Sequence, residues 1–346
     1  PKDSGGYLWD SVLRAGKTVR AYGILMDLSD VYYATSGDPF KPDPNNPLYI
    51  PLSATPFADQ IPQAVASKVS LEGRTDLYFR GYDQKYTDIW SFNEWKRDLE
   101  AYIAQHGTMP NLMVMALDHD HFGSFSQAAA GVNTPELQMA DNDYALGRIV
   151  EYLSQRPEWA KTAIFVLEDD AQNGPDHVDA QRTVAYIISP YTRKGGAVVS
   201  THYNTVSMIR TMVDLLGVDY LGMNDANAEA MSDAFKLRPD LTPYTAIVPG
   251  SLCNSPVDTQ LLLGANNACD DPAAKRSVVV KPLRDAAWWA EAMEDFDFEE
   301  IDHLGDPEAF NRVLWAGIKG ENVPYPSQRS KANLRDNREQ LLAKSP

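Results

Sequence analysis

Long apolar runs, basic residues and cysteines are all scarce in this sequence of 346 residues. No run approaches the roughly 18 apolar residues of a transmembrane helix, so we expect no membrane-spanning segment. The formal net charge of −17 argues against a nucleic-acid partner, because the phosphate backbone would be repelled. The only cysteines, Cys253 and Cys269, lie in a loop-like region. They are compatible with a disulfide in an oxidising compartment, and two unpaired thiols are the alternative.

Several common catalytic motifs are missing as well. The sequence has no GxxxxGK(S/T) phosphate-binding loop, no GxGxxG after a strand and no HExxH zinc motif. The GxSxG nucleophile elbow is also absent, so an α/β-hydrolase triad has no serine to begin from. These absences leave metal-assisted hydrolysis as the leading reaction class.

Hydrophobic strands alternate with helical segments through the middle of the chain. Apolar runs at 112–117, 163–167 and 183–188 are predicted strands, and 134–153 and 206–216 show helical spacing. The run at 163–167 is uninterrupted, which predicts a fully buried strand of a parallel sheet. We therefore expect an α/β fold with a mostly parallel central sheet flanked by helices.

Acids and imidazoles follow the ends of two predicted strands. They are Asp118, His119, Asp120 and His121 after the first, and Glu168, Asp169, Asp170, Asp176 and His177 after the second. His202 precedes the last of these helices, whereas His106 and His303 are expected at the surface. Ligands of open α/β sheets bind beyond the carboxyl ends of strands. Adjacent carboxylates about 4 Å apart repel by roughly 4 kcal/mol at an effective dielectric near 20.

A divalent metal ion is the expected neutralising partner of these carboxylates. Mixed carboxylate and imidazole ligands favour Zn, Mn or Fe, and carboxylates alone favour Ca or Mg. The alternative is chance clustering in an acidic protein. The residues alone do not decide the identity or number of the ions.

Three segments of the sequence are similar to a known family. They are FVLEDDAQNGPDHVDA at 165–180, IISPYT at 187–192 and HYNTVSMIRT at 202–211. They resemble the bacterial phosphoesterase family of acid phosphatases and phospholipases C, within the alkaline-phosphatase-like superfamily. The resemblance is specific across about residues 110 to 217. It implies an alkaline-phosphatase-like fold, a phosphate-ester small molecule or phospholipid head group as substrate, and a periplasmic or secreted location.

The resemblance also implies roles for individual residues. The implied metal ligands are Asp120, Asp169, Asp170 and His177. The implied catalytic residues are His121, His177 and His202, with His177 as either a ligand or a phosphate-contacting group. Asp120-His121 matches the family's Asn-Asp-His-Thr segment, although Asp118-His119 competes for the register. His119 and Phe122 replace the family's Asn and Thr, and His202 lies where some relatives have Phe.

The family's early Glu-Asn metal motif and its Ser or Thr nucleophile have no counterpart in this sequence. We therefore expect either a C-terminal part, with the N-terminal portion absent or on a separate chain, or a degenerate relative. The chain alone is expected to hydrolyse p-nitrophenyl phosphate poorly or not at all. Residues 1–220 are predicted to form the α/β core, 221–323 a loop-rich and helical covering segment of the same domain, and 324–346 an extended tail.

Two other functions compete with a metal-dependent phosphoric ester hydrolase. One is a non-catalytic binding or surface-layer module that keeps the fold and a structural cation. The other is a different metal-dependent enzyme of the same fold, of the sulfatase or phosphoglycerate-mutase type. The absence of a Cys-x-Pro-x-Arg sulfatase signature argues against the sulfatase.

Overall fold

The computed structural model of the chain describes residues 6–28, 51–168, 183–222, 224–264, 268–296 and 306–326. The chain divides into two compact units. The first comprises Pro1–Val166 and Tyr186–Lys281, and the second comprises Leu167–Ala185 and Pro282–Pro346. The predicted domain boundaries at 220 and 323 stay predictions. The secondary structure is mixed α/β, as expected from the sequence.

Six short strands form three two-stranded sheets in the described part of the chain. They are β1 (Val19–Tyr22), β2 (Met26–Leu28), β3 (Ala64–Ala66), β4 (Leu112–Met115), β5 (Ile164–Leu167) and β6 (Ala185–Ile188). β1 and β4 pair in parallel, whereas β2 and β3 pair antiparallel. β5 pairs with β6. The backbone N–H of Glu168 donates to the carbonyl of Val184 at 3.1 Å, so the carboxyl end of β5 lies beside the amino end of β6.

The strand positions agree with the apolar runs, but the sheet differs from the expected one. Among the described residues β1 and β4 form a parallel pair, and no sheet has more than two strands. The prediction that 163–167 is fully buried is wrong, because all four residues of β5 are only half-buried. Tyr186 of β6 is 53% exposed. An uninterrupted apolar run shows that the segment is hydrophobic. Its burial also depends on which elements pack on its two faces, and the run does not specify them.

Nine α-helices lie in the described residues. They are α1 (Leu8–Arg14), α2 (Asp88–His106), α3 (Pro135–Ser154), α4 (Thr205–Leu216), α5 (Gly250–Cys253), α6 (Thr259–Leu263), α7 (Pro272–Arg276), α8 (Ala286–Ala292) and α9 (Pro307–Lys319). α3 begins as predicted, with the Thr134 hydroxyl accepting from the Leu137 N–H at 3.4 Å and proline in the first turn. Gly217 ends α4 in the left-handed conformation. None of the described helices combines the length and apolar composition that a membrane crossing requires.

The main hydrophobic core of the first unit lies around α2 and α3. Trp95 and Leu99 of α2 are buried with Leu137 and Tyr144 of α3 in one cluster. Leu252 of α5 belongs to the same cluster. The packing fixes the start of α2 beside the middle of α3, which is where the buried polar residues lie.

The two cysteines form a disulfide. Cys253 and Cys269 are 5.5 Å apart between Cα atoms, so the paired alternative is confirmed. Both half-cystines pack against the main core. The bridge connects the end of α5 to the segment that precedes α7.

Candidate functional site

The loop that follows β4 is attached to the start of α2. β4 leaves the sheet after the Ala116 N–H donates to the carbonyl of Tyr22 at 3.0 Å. Two and three residues further on, the backbone N–H groups of Asp118 and His119 donate to the two carboxylate oxygens of Asp88 at 3.0 and 3.1 Å. Asp88 is the first residue of α2, so one carboxylate holds the loop against the helix N-terminus.

His119 is fully buried, and both of its ring nitrogens face acceptors. Nδ1 lies 2.7 Å from Oδ2 of Asp141, and Nε2 lies 2.9 Å from the carbonyl oxygen of Gln84. A ring placed between a carboxylate and a carbonyl binds best with a proton on each nitrogen. Burial lowers the pKa of His119, but the hydrogen bond and charge of Asp141 outweigh burial and raise the pKa to about 9.

Asp141 is a buried carboxylate in the middle of α3, and its hydrogen bonds explain how the fold tolerates it there. Its oxygens accept hydrogen bonds from the backbone N–H groups of Asp88 at 2.6 Å and Ile89 at 3.4 Å. The first N–H groups of a helix have no partner within that helix, and they favour negative charge. Asp141 therefore stabilises the N-terminus of α2 as well as the charged His119.

Two neighbouring carboxyls are less easily ionised than usual. Burial raises the pKa of Asp88 to about 6, although the positive charge of His119 opposes the shift. Burial and then the charge of Asp88 raise the pKa of Asp118 to about 8. The Asn142 side chain donates to Asp88 at 3.0 Å and adds a neutral hydrogen bond to the group. The region holds more acids than cations, and the helix N-terminus offsets part of this excess.

Asp88, His119 and Asp141, here called the buried triad, could hold a metal ion. One ligand atom from each residue lies within 4.8 Å of the other two, and all three residues are buried. The same atoms already make hydrogen bonds to one another and to the backbone. A cation could bind to Nδ1 of His119 only after that nitrogen lost its proton. The triad is therefore satisfied as a hydrogen-bonded anchor without any ion.

Asp120 and His121 directly follow His119 in the chain, and both are half-buried. Nδ1 of His121 lies 3.0 Å from the hydroxyl of Tyr82 and 3.4 Å from Nε2 of Gln84. If Nδ1 accepts from both groups, the ring proton is on Nε2. No described residue bonds to Nε2, so its N–H can donate to an anionic ligand.

Gln84 links the two histidines of this loop. Its backbone carbonyl accepts from His119, and its side-chain nitrogen contacts His121. Its side-chain oxygen is buried and has no hydrogen-bond partner in the described part of the chain. The position of His121 is therefore coupled to that of the buried triad.

The other predicted site residues are placed less fully. Asp169, Asp170, Asp176, His177 and His303 lie outside the described residues. Glu168 is described at the end of β5, where its carbonyl accepts from the Thr183 hydroxyl at 2.9 Å. His202 is exposed and has no hydrogen bond or ion pair with another described residue, so no contact brings it to Asp120 and His121. His106 is exposed as predicted and stacks on Tyr102.

Sequence reasoning identified the loop after β4 but missed its two carboxylate partners. Asp141 had a usable signal, because it lies four residues after Leu137 and four before Ala145. Both of those residues are buried, and Asp141 lies on the same face of the helix. A carboxylate on a buried helix face predicts a buried cationic or hydrogen-bonding partner. Asp88 was hidden, since an acid in the first turn of a helix is common on exposed helices.

The resemblance to known phosphoesterases finds no support in comparisons with known proteins. No protein-family model matches the chain. A search of curated proteins finds no match either. The alkaline-phosphatase-like fold and the phosphoesterase activity therefore stay predictions, and the function has to be argued from the residues of the site.

Proposed function

We propose that this chain supplies the metal-binding half of a phosphoric ester hydrolase of the phosphatase, phosphodiesterase or phospholipase C type. The observation that carries the proposal is the half-buried Asp120–His121 pair, attached through His119 to two buried carboxylates. The pair lies just beyond the carboxyl end of β4, which is a parallel strand. Binding sites of α/β sheets lie at such ends.

His121 is suited to binding an anionic oxygen. Tyr82 and Gln84 can both donate to Nδ1, and this arrangement leaves the Nε2–H as a donor. A donor that is fixed before the substrate binds stabilises developing charge without reorganisation. His121 would therefore stabilise the charge on the phosphoryl oxygens, while Asp120 would be a metal ligand.

The family resemblance implies Asp169, Asp170 and His177 as the other metal ligands, and these three lie outside the described residues. When bound, a divalent cation shields the anionic substrate and stabilises the leaving oxygen. The sequence places these residues after β5, as Asp120 and His121 follow β4. The hydroxyl nucleophile of the reaction is not identified in this chain.

The buried triad would act as a positioning group for the proposed site. Errors of about 1 Å in the position of a catalytic group can cost about a hundredfold in rate. The carboxylate of Asp88 binds two consecutive N–H groups of the loop, and Asp141 binds the ring of His119. These bonds restrict the backbone that carries Asp120 and His121.

A non-catalytic binding or surface module with a structural cation is the second proposed function. Its support is the spacing and full burial of Asp88, His119 and Asp141. In that case the ion would bind at the buried triad and would stabilise the fold. The acidic run at 168–170 would then be unnecessary for metal binding.

Metal and phosphate binding by the full chain separate the two proposals. We expect the chain loaded with Mn²⁺ or Zn²⁺ to bind inorganic phosphate in calorimetry, and EDTA to remove that fraction of the binding. Asp169→Ala/Asp170→Ala should abolish metal binding, because it removes two ligands. Glu294→Ala/Asp295→Ala is the matched control, since it removes the same charge from another pair of adjacent, exposed acids.

The two functions predict different outcomes for the same variants. Metal binding that survives Asp169→Ala/Asp170→Ala but is lost in Asp88→Asn would identify the structural cation and refute the hydrolase. Metal-dependent phosphate binding that is weakened about tenfold by His121→Ala would support the hydrolase. Rapid turnover of p-nitrophenyl phosphate by this chain would show that the nucleophile lies within it.

A further inference from the structure

Two loops of the first unit form an open cleft. The cleft has a volume of about 440 Å³. It is lined by Arg193 from the loop after β6, and by Ser232, Phe235, Lys236, Leu237 and Arg238 from the segment after α4. None of these residues belongs to the buried triad or to the Asp120–His121 pair.

The cleft is positively charged in a protein whose net charge is −17. Arg193, Lys236 and Arg238 all line it, and none of them forms an ion pair with a described residue. Two acids lie near it: Asp240, which pairs with Lys194, and Asp233, which accepts hydrogen bonds from the hydroxyls of Thr201 and Tyr203. Those hydrogen bonds, and then the charge of Arg193, lower the pKa of Asp233. Asp240 and Lys194 cancel each other, so counting Asp233 against the three lining cations leaves a local excess of positive charge.

The two loops are held together by their backbones. The Arg193 N–H donates to the carbonyl of Ala234 at 2.9 Å, and the Lys236 N–H donates to the carbonyl of Tyr191 at 2.7 Å. Thr192 and Phe235 form an antiparallel bridge between them. Lys194 pairs with Asp240 at 3.1 Å, which adds a further connection. The cationic side chains therefore extend from a backbone that is already ordered, which reduces the entropy lost on binding.

Apolar side chains accompany the cations. Phe235 is half-buried. Leu237, which lies between Lys236 and Arg238, is 99% exposed. Burying an exposed leucine against an apolar group of a ligand is favourable. The adjacent cations favour binding of an anionic group. The combination suits a ligand that carries a phosphate group next to an apolar part.

We propose that this cleft binds the phosphate group of an amphiphilic phosphate ester. The guanidinium and ammonium groups bind the phosphate oxygens, and Phe235 and Leu237 contact the apolar part. Arginine binds phosphate through paired N–H donors, while lysine acts as a point charge. The ligand is either a free phosphate ester or the head group of a phospholipid, since both present the same chemistry.

Binding of two probes to the full chain tests this proposal. The first probe is phenyl phosphate, and the second is vesicles of phosphatidylglycerol in phosphatidylcholine. Both are measured in EDTA, which removes cations from the proposed metal site, so the outcome is separate from that of the proposed hydrolase. We expect saturable binding of at least one probe, weakened about tenfold or more by Lys236→Glu/Arg238→Glu.

The control must change the charge equally at another place. Arg276 and Lys281 are exposed and unpaired among the described residues, so Arg276→Glu/Lys281→Glu is the matched variant. It should leave binding nearly unchanged. Binding of phenyl phosphate identifies a free ester as sufficient, and binding of vesicles alone identifies the lipid head group. No saturable binding of either probe, or equal losses in the two charge-reversal variants, would refute the cleft as a phosphate site.

Discussion

At the scale of single residues, the His119–Asp141 pair connects the fold to the proposed site. His119 binds α3 through its side chain and α2 through its backbone N–H. Both groups are buried, so their interaction is screened little by solvent. The pair therefore contributes to stability and also fixes the loop that carries His121.

Asp141→Asn should lower the free energy of unfolding by about 3 kcal/mol, because it leaves a buried imidazolium without its anion. Urea denaturation monitored by tryptophan fluorescence measures the change. Asp143→Asn is the matched control on the same helix, since Asp143 is exposed. That control should stay within about 0.5 kcal/mol of the unsubstituted chain. Equal stability of both variants would contradict a charged pair at this position.

The pH dependence of the Asp141→Asn effect follows from the raised pKa of His119. A histidine whose pKa is raised by folding contributes stability that is complete below its unfolded pKa of about 6.5. That contribution is lost as the pH rises through about 9. The cost of Asp141→Asn should therefore be largest near pH 6 and smaller above pH 9. A cost that is the same at pH 6 and above pH 9 would indicate a neutral His119.

The sequence was sufficient to find the loop but not its partners. Acids and histidines after an apolar strand indicated a site at 118–121, and the structure attaches that loop to α2 and α3. Asp88 and Asp141 are far from the loop in sequence, and only packing brings them to His119. Pairing over such separations depends on tertiary structure, which a single sequence pattern does not contain.

At the scale of elements, helices were predicted better than sheets. The boundaries of α3 and α4 lie close to the predicted ones. The Thr134 cap marks the start of α3 and Gly217 marks the end of α4, and both can be identified from the adjacent sequence. The three predicted strands were located correctly, as β4, β5 and β6, but the mostly parallel central sheet is represented among the described residues by the β1–β4 pair. A strand's neighbours lie at distant positions of the chain, so four apolar residues such as those of β5 cannot specify them.

Two helix glycines give opposite expectations for the same substitution. A Cβ at Gly147 of α3 would lie 3.5 Å from Cβ of Ala246, which is an ordinary contact. Gly147→Ala should therefore stabilise α3 by about 0.5–1 kcal/mol through helix propensity. A Cβ at Gly317 of α9 would overlap the ring of Trp289, which is fully buried. Gly317→Ala should destabilise α9 by about 1–3 kcal/mol through overpacking.

Hydrogen exchange of the two helices checks this pair of expectations. Amides of α3 should exchange more slowly in Gly147→Ala, and amides of α9 should exchange faster in Gly317→Ala. Each variant serves as the control for the other, because the added methyl group is the same. Slower exchange of α9 in Gly317→Ala would show that Trp289 does not pack on this face of the helix.

At the scale of the whole molecule, charge and covalent structure point to different constraints. The net charge of −17 favours solubility and disfavours nucleic acid. The cleft lined by Arg193, Lys236 and Arg238 is a positively charged exception to that acidity. The disulfide is consistent with an extracellular or periplasmic location, where such bonds persist. The sequence alone indicated the acidic net charge and the possible disulfide. Only the fold shows that Arg193, Lys236 and Arg238 lie close together.

The disulfide should support the stability of the first unit. Cys253 and Cys269 are separated by 16 positions, and closing a loop of about 15 residues stabilises a protein by about 3 kcal/mol. Reduction with dithiothreitol should therefore lower the melting temperature by roughly 5–10 °C. Differential scanning calorimetry measures this shift. Cys253→Ser/Cys269→Ser should melt at the lower temperature with or without dithiothreitol, so it controls for other effects of the reductant. If reduction left the melting temperature of the unsubstituted chain unchanged, the bridge would not restrain the unfolded state.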